Sequence, residues 1–341
     1  MMKKFMLKSL WYFVPFICIY CAFIISYYHI SGDIGYLAQI PFGKEYEKLL
    51  KQNYLLKNYI RDTLITANNH LIFNTKKKIL TIGDSFSLSG QGNSRYQNYL
   101  AYLFHYDIIN IDPVNIADPV QDAVKLLNSG IIDSATCKLV IIETVDRSVI
   151  QRLNGLDFGR NYSPFQKQDK RTENDKKATI ITLFQYIRLQ MGYKNPIRKY
   201  NLTKDCFSHH HYSNKLFCYK DDLGFKNILK ADIEKSKENL ILLNKKFSDK
   251  GIKIIFLIAA DKYDVYRPFM IEKTLPVDTT ADDLSKVREI CVIDTKSMLQ
   301  EMVRSGEKDV YQVNDTHWSH KASEAVAERI ACVIDSLGIL K

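Results

Sequence analysis

Residues 77–87 read Lys77-Lys78-Ile79-Leu80-Thr81-Ile82-Gly83-Asp84-Ser85-Phe86-Ser87. A short apolar run that closes on a Gly-Asp-Ser turn is the pattern of a buried strand carrying a hydroxyl to the end of a sheet. Runs of the same kind recur at 106–112 (YDIINID), 138–144 (KLVIIET), 251–260 (GIKIIFLIAA) and 290–294 (ICVID). Near-continuous Val/Ile/Leu strands are buried on both faces, as in a parallel sheet. Between them, segments around 95–104, 117–129, 230–248 and 320–336 have helical spacing. The expected architecture is therefore α/β, a three-layer open and mostly parallel sheet.

The chain has 341 residues, 46% of them apolar, which is enough to bury a full core and excludes a disordered chain or a disulfide-stapled miniprotein. Its formal net charge of +10 is concentrated in two places. Residues 1–30 hold Lys3, Lys4 and Lys8 with no acid, and residues 167–204 hold ten Lys/Arg against Asp169, Glu173 and Asp175. No zinc-finger spacing, basic zipper or aromatic RNA-binding signature accompanies this charge, so nucleic acid is not an expected partner.

Leu10 to Tyr28 is an uncharged run, LWYFVPFICIYCAFIISYY, preceded by the lysines and flanked by Trp11, Tyr12, Tyr27 and Tyr28. As a helix it spans roughly 28 Å, close to a bilayer's hydrocarbon thickness. The positive-inside rule then sends the rest of the chain across the membrane. The run is long for a signal-peptide core and no small-x-small site follows it, so residues 1–30 are expected to be an uncleaved anchor. Residues 31–76 read as a helical stalk or linker, with Leu49, Leu50, Tyr54, Leu55, Tyr59 and Ile60 on one face. Residues 77–341 read as one domain, interrupted at about 150–230 by a basic, Asn- and Tyr-rich insertion with one helix near 177–191. Within it, Cys206 and Cys218 either pair, as an oxidising compartment allows, or remain separate thiols. Cys137, Cys291 and Cys332 read as buried small hydrophobes.

A serine at the carboxyl end of a strand can be a nucleophile if a base reaches it and backbone amides face the oxyanion. In Asn314-Asp315-Thr316-His317-Trp318-Ser319 a carboxylate two residues before His317 can hold one ring nitrogen and leave the other for the serine. The structural alternative is a helix cap at Asp315 and a surface histidine at His317. The run His209-His210-His211 alternates in direction and is a poor ligand set for one tetrahedral ion. No phosphate-binding loop or dinucleotide fingerprint is present, and serine-based acyl transfer requires neither cofactor nor metal. None is assigned.

Taken together, Gly83-Asp84-Ser85-Phe86-Ser87 and Asp315-Thr316-His317-Trp318 resemble the SGNH hydrolase superfamily, in particular its alginate O-acetyltransferase-like branch. Val140-Ile141-Ile142-Glu143-Thr144-Val145-Asp146-Arg147 and Ala260-Asp261-Lys262-Tyr263-Asp264-Val265-Tyr266 are similar to two further segments of that branch. The resemblance implies a flavodoxin-like SGNH fold with Ser85 as acyl-accepting nucleophile, His317 as base and Asp315 as its orienter. It also implies oxyanion or substrate-binding positions among Phe86, Glu143, Arg147, Lys262, Tyr266 and Trp318. Arg147 has two readings, an oxyanion contact or an ion pair with Glu143. Lys262 and Tyr266 also have two, cleft wall or solvated surface.

Other superfamily members carry Asp-x-x-His where this chain has Asp-x-His, and their oxyanion Asn has no clear counterpart here. The expected function is a periplasmic O-acetyltransferase, held by a single pass in a bacterial inner membrane, acting on a surface or exported polysaccharide. A multi-spanning acyltransferase would supply its acetyl groups. A carbohydrate acetyl-esterase using the same residues is one alternative, and a non-catalytic glycan-binding or assembly protein is the other.

Overall fold

The computed structural model describes residues 9, 11–22, 56–63, 78–87, 93–111, 118–135, 137–162 and 196–338. Among the described residues, six strands form one parallel sheet: β1 (Arg61–Thr63), β2 (Lys78–Ile82), β3 (Asp107–Ile111), β4 (Leu139–Val145), β7 (Lys253–Ala259) and β8 (Cys291–Asp294). Their spatial order is β1-β3-β2-β4-β7-β8, which places β2 and β4 side by side at the centre. A separate antiparallel ribbon pairs β5 (Ile197–Asn201) with β6 (Lys215–Tyr219).

The long helices are α1 (Tyr96–Phe104), α2 (Pro119–Asn128), α3 (Asp146–Asn154), α4 (Lys230–Ser248), α7 (Lys296–Arg304) and α8 (His320–Leu337). Two one-turn helices, α5 (Lys262–Tyr266) and α6 (Thr280–Leu284), follow β7. Alternation along the strands divides the core into two layers. Leu139, Ile141, Ile255 and Leu257 face a cluster with Tyr96 of α1, Leu299 of α7 and Val326 of α8. Val140, Ile142, Ile254 and Phe256 face the opposite cluster, with Val120 of α2, Val149 of α3 and Leu240 of α4. The result is a helix–sheet–helix sandwich whose loops of interest leave the carboxyl ends of β2, β4 and β7.

Four expectations change. First, the sheet starts before residue 77. The end of the expected stalk is extended: Ile60 is buried, β1 pairs with β3, and the Asn98 Oδ1 accepts from the Tyr59 amide at 2.7 Å. The helical face was read over residues 44–66; Tyr59 and Ile60 are not helical, and 44–55 and 64–66 lie outside the described residues. Second, Cys206 and Cys218 are not bridged; both are free thiols in the core packed against α8. Their burial makes them small apolar fillers, and it pushes the Cys206 thiol up to about 11. Third, Cys332 is exposed and Cys291 only partly covered. Fourth, the insertion contributes the β5–β6 ribbon, while its expected helix at 177–191 lies outside the described residues.

Residues 11–22 are helical and exposed, and the remainder of the expected 10–28 span lies outside the described residues. Among the described residues, no helix is long and apolar enough to cross a membrane.

Candidate active site

The turn after β2 begins at Gly83, and close approach explains the glycine. A Cβ there would fall inside contact distance of Ser87 Oγ and Glu143 Oε2. Ser85, Phe86 and Ser87 then form one 3-10 turn closed by the Ser87 amide donating to the Asp84 carbonyl at 3.0 Å. Glu143, on the neighbouring β4 and wholly buried, accepts from the Asp84 amide and from Ser87 Oγ, both at 2.9 Å. Asp84 in turn accepts from the Val145 amide at 2.9 Å and pairs with Arg152 of α3 at 2.7 Å. The turn is thus stitched to β4 and α3. Ser85 sits at its apex, half-buried, and its backbone amide donates to no partner among the described residues.

The two acids of this turn titrate in opposite directions. Burial, then the charge of Asp84, pushes the Glu143 carboxyl well above its ordinary value. Burial also pushes Asp84 up, but its bond to Glu143, the Arg152 charge and the Val145 amide outweigh it and hold Asp84 below the usual range. The pair therefore keeps one proton, on Glu143. With the folded value raised, the Glu143 contribution to stability is full below its unfolded pKa and declines as pH rises through the folded one. Glu143→Gln, which copies the neutral form, should leave stability within about 1 kcal/mol and flatten the decline with rising pH. Glu143→Ala should cost about 2 kcal/mol by orphaning the Asp84 amide and the Ser87 hydroxyl. Thermal unfolding as a function of pH, from the ordinary carboxyl range upward, checks both.

The second segment is the loop between α7 and α8. It is pinched at its base by a bridge between Tyr311 and Trp318 and by the Ser319 amide donating to Val310 O at 3.0 Å. Ser319 occupies the position before α8, so Asp315 is not the helix cap. Instead Asp315 Oδ1 meets His317 Nδ1 at 2.5 Å and also accepts the His317 amide at 3.0 Å. Burial alone would raise the Asp315 carboxyl; the bonds and charge of His317, with Lys262 nearby, hold it below the usual range. The carboxylate stays ionised and orients the imidazole.

Ring packing joins the two segments. The Phe86 ring lies 5.0 Å from the His317 ring and 4.7 Å from Trp318, centroid to centroid. Trp318 is fixed from behind by its Nε1 donating to Tyr311 Oη at 2.8 Å. A cleft between the turn and α8 is lined by Phe86, Ser94, Arg95, Gln312, His317, Trp318 and Ser323. Among the described residues no hydrogen bond links the Ser85 and His317 side chains; in ligand-free sites such bonds are commonly long.

The remaining sequence candidates serve the frame. Arg147 neither faces an oxyanion nor pairs with Glu143. Its guanidinium is bound to Asp261, with Asp222 at 3.5 Å, and its amide donates to Asp261 Oδ2 at 2.9 Å. Lys262 and Tyr266 are neither cleft wall nor solvated surface. Lys262 is 1% exposed, and its Nζ donates to the carbonyls of Gln312, Val313 and Asp315 at 2.6, 3.0 and 3.0 Å. Tyr266 is fully buried and its hydroxyl accepts the Tyr311 amide at 3.1 Å. Both hold the 310–318 loop from beneath. Glu143 likewise points into the protein, so it braces the turn and does not touch the cleft.

Arg95 is the residue that reading the sequence missed. It is 2% exposed and forms a two-pronged pair with Asp62 of β1 at 2.7 and 2.9 Å. Its Nε, buried in the cleft wall, has no acceptor among the described residues. Nothing local announces this, because the partner that locks it lies 33 positions away in a segment with helical spacing.

Residues 216–340 match the family described as SGNH hydrolase-like domain, acetyltransferase AlgX. That stretch runs from β6 into the end of α8 and contains the Asp315–Trp318 loop; the Ser85 turn lies before it. No curated protein matches the chain in sequence. Solved structures found similar include a catalytic mutant of Axe2, an acetylxylan esterase from Geobacillus stearothermophilus, at 13% identity and a TM-score of 0.37. A second Axe2 mutant, described as an acetyl-xylooligosaccharide esterase, aligns at 12% identity and 0.39. Each alignment covers 75% of this chain and 92% of that chain. What this chain shares with the SGNH hydrolase-like domain of the AlgX acetyltransferase type is a similarity over residues 216–340, less than half of its length.

Proposed function

We propose that the chain is an O-acetyltransferase that moves acetyl groups onto hydroxyls of a surface or exported polysaccharide through Ser85, His317 and Asp315. The observation that carries this reading is the packing of Phe86, next to Ser85, against an imidazole already oriented by Asp315. The family match over residues 216–340 supports acetyl chemistry on carbohydrate.

Ser85 Oγ attacks the donor's acetyl carbonyl while His317 takes its proton, and the tetrahedral oxyanion faces the Ser85 amide. Collapse expels the donor's alcohol, which recovers the proton from His317, and leaves acetyl-Ser85. A sugar hydroxyl then attacks, His317 accepts its proton, and the acetyl–Ser85 bond breaks with the proton returned to Ser85. Asp315 stabilises the imidazolium formed in each half.

The apolar segment 10–28 would hold the domain at the inner membrane with the site on the periplasmic side. There a multi-spanning acyltransferase could act as donor. The test is to incubate the purified full-length chain with an acetyl donor and glycan acceptors and to compare acetylated sugar with free acetate. Acetylated sugar in excess is expected. Acetate alone would make the protein an esterase, since the difference lies in exclusion of water from the acyl-enzyme. Neither product, with no acetyl on Ser85, would leave a glycan-binding or assembly protein.

A further inference from the structure

Sequence reading assigns this protein no metal, yet a second set of acids lies beyond the carboxyl ends of β4 and β7, apart from the cleft. Asp146 opens α3 after β4, Asp264 lies in α5 after β7, and Asp278 precedes α6. They are 1, 3 and 3% exposed, and one carboxylate oxygen from each lies within 4.8 Å of the other two. Clustering alone would mean little. The second observation is that both Asp146 oxygens, and Asp264 Oδ2, are buried with no hydrogen-bond partner among the described residues. Asp278 spends one oxygen on the Thr280 amide at 2.8 Å.

The nearby cations answer this charge only in part: Lys296 attracts Asp146 and Asp264 without bonding to either. Lys296 Nζ is directed to the Asp278 carbonyl at 2.9 Å and to Asp282 Oδ2 at 2.6 Å. Arg147 is committed to Asp261 and Asp222. If the acids were simply protonated, their hydroxyls would need acceptors, because a buried carboxylic acid without one costs as much as any orphaned donor. Asp146 has none. As the groups stand, burial and then the charges of Asp278, Asp261 and Asp294 push Asp146 far above its ordinary value.

We propose that Asp146, Asp264 and Asp278 bind one calcium ion, which ties α3, α5 and the segment before α6 together. An all-oxygen set selects a hard cation over zinc. Oxygens that all lie within 4.8 Å of one another can each reach a single calcium ion at roughly 2.4 Å. Magnesium demands a near-ideal octahedron and sheds its waters reluctantly, which suits three buried carboxylates carried on separate elements less well. Asp264 and Lys262 share one helical turn, so the ion would also steady the element that clamps the His317 loop. The site does not depend on the acyl-transfer reading.

The test uses the full-length chain in mild detergent, stripped with EDTA and then equilibrated with calcium chloride or magnesium chloride. Elemental analysis after gel filtration should find one calcium per chain, with equal magnesium failing to displace it. Calcium at about 100-fold its dissociation constant should raise Tm by on the order of 5 °C. Asp146→Asn and Asp264→Asn should bind no calcium and show no calcium-dependent shift. Wild type that binds no calcium, or whose Tm is the same in calcium and EDTA, would overturn the site, as would either variant retaining a full equivalent. Magnesium bound in calcium's place would overturn the ion's identity.

Discussion

Full-length chain exposed to a chromogenic acetyl ester should carry an acetyl group on Ser85, and the Ser85→Ala and His317→Ala chains should not. The expected loss in acetyl-transfer rate is roughly 10⁴-fold for either variant, because nucleophile and base act as one unit and removing one disables both. Asp315→Asn should fall by about the same factor for a different reason. An amide in that position can donate to Nδ1 and so favours the wrong tautomer. Asp315 is held below the usual carboxylate range, so its charge persists on the acid side and the acid limb of the rate profile should not shift with it. Intact-protein and peptide mass spectrometry read the adduct directly. An adduct of equal yield in His317→Ala, or one on Ser87, would remove the proposed mechanism.

Lys262→Met should be the most damaging substitution outside the cleft. The ammonium is buried and satisfies three carbonyls of the loop that presents His317. Methionine fills much of the volume and leaves those carbonyls without a donor, at an expected cost of about 3–5 kcal/mol. That corresponds to a fall in Tm of roughly 10 °C for a domain of this size. The loss should be local before it is global. Hydrogen exchange should accelerate across residues 310–318 while β2 and β4 keep their protection. A variant within about 1 kcal/mol of wild type, with unchanged exchange in that loop, would show that Lys262 is not the clamp.

The parallel sheet was legible because its strands are buried on both faces and therefore written as unbroken apolar runs. The short edge strand β1 was not. It is three residues long, only half-covered, and follows a stretch with helical spacing, so periodicity misplaced it. His317 was found because a carboxylate two residues before a histidine can orient its ring; Phe86 and Trp318 were singled out by the family resemblance alone. Lys262, Tyr266 and Arg147 were also singled out, but for the wrong work. A lysine or arginine in sequence looks solvated, and only the fold reveals that carbonyls and carboxylates surround it.

By itself, then, the order of residues determined the layer architecture, the strand carrying Ser85 and the Asp-x-His pair, since periodicity and short-range spacing are local properties. Tertiary structure decided that Phe86 meets His317 across more than two hundred positions, that Glu143 rather than Asp84 keeps the proton, and that Arg95 enters the cleft wall. It alone gathers Asp146, Asp264 and Asp278. Each of these depends on which strand ends become neighbours and on how much water is excluded between them, and neither quantity exists until the chain has closed.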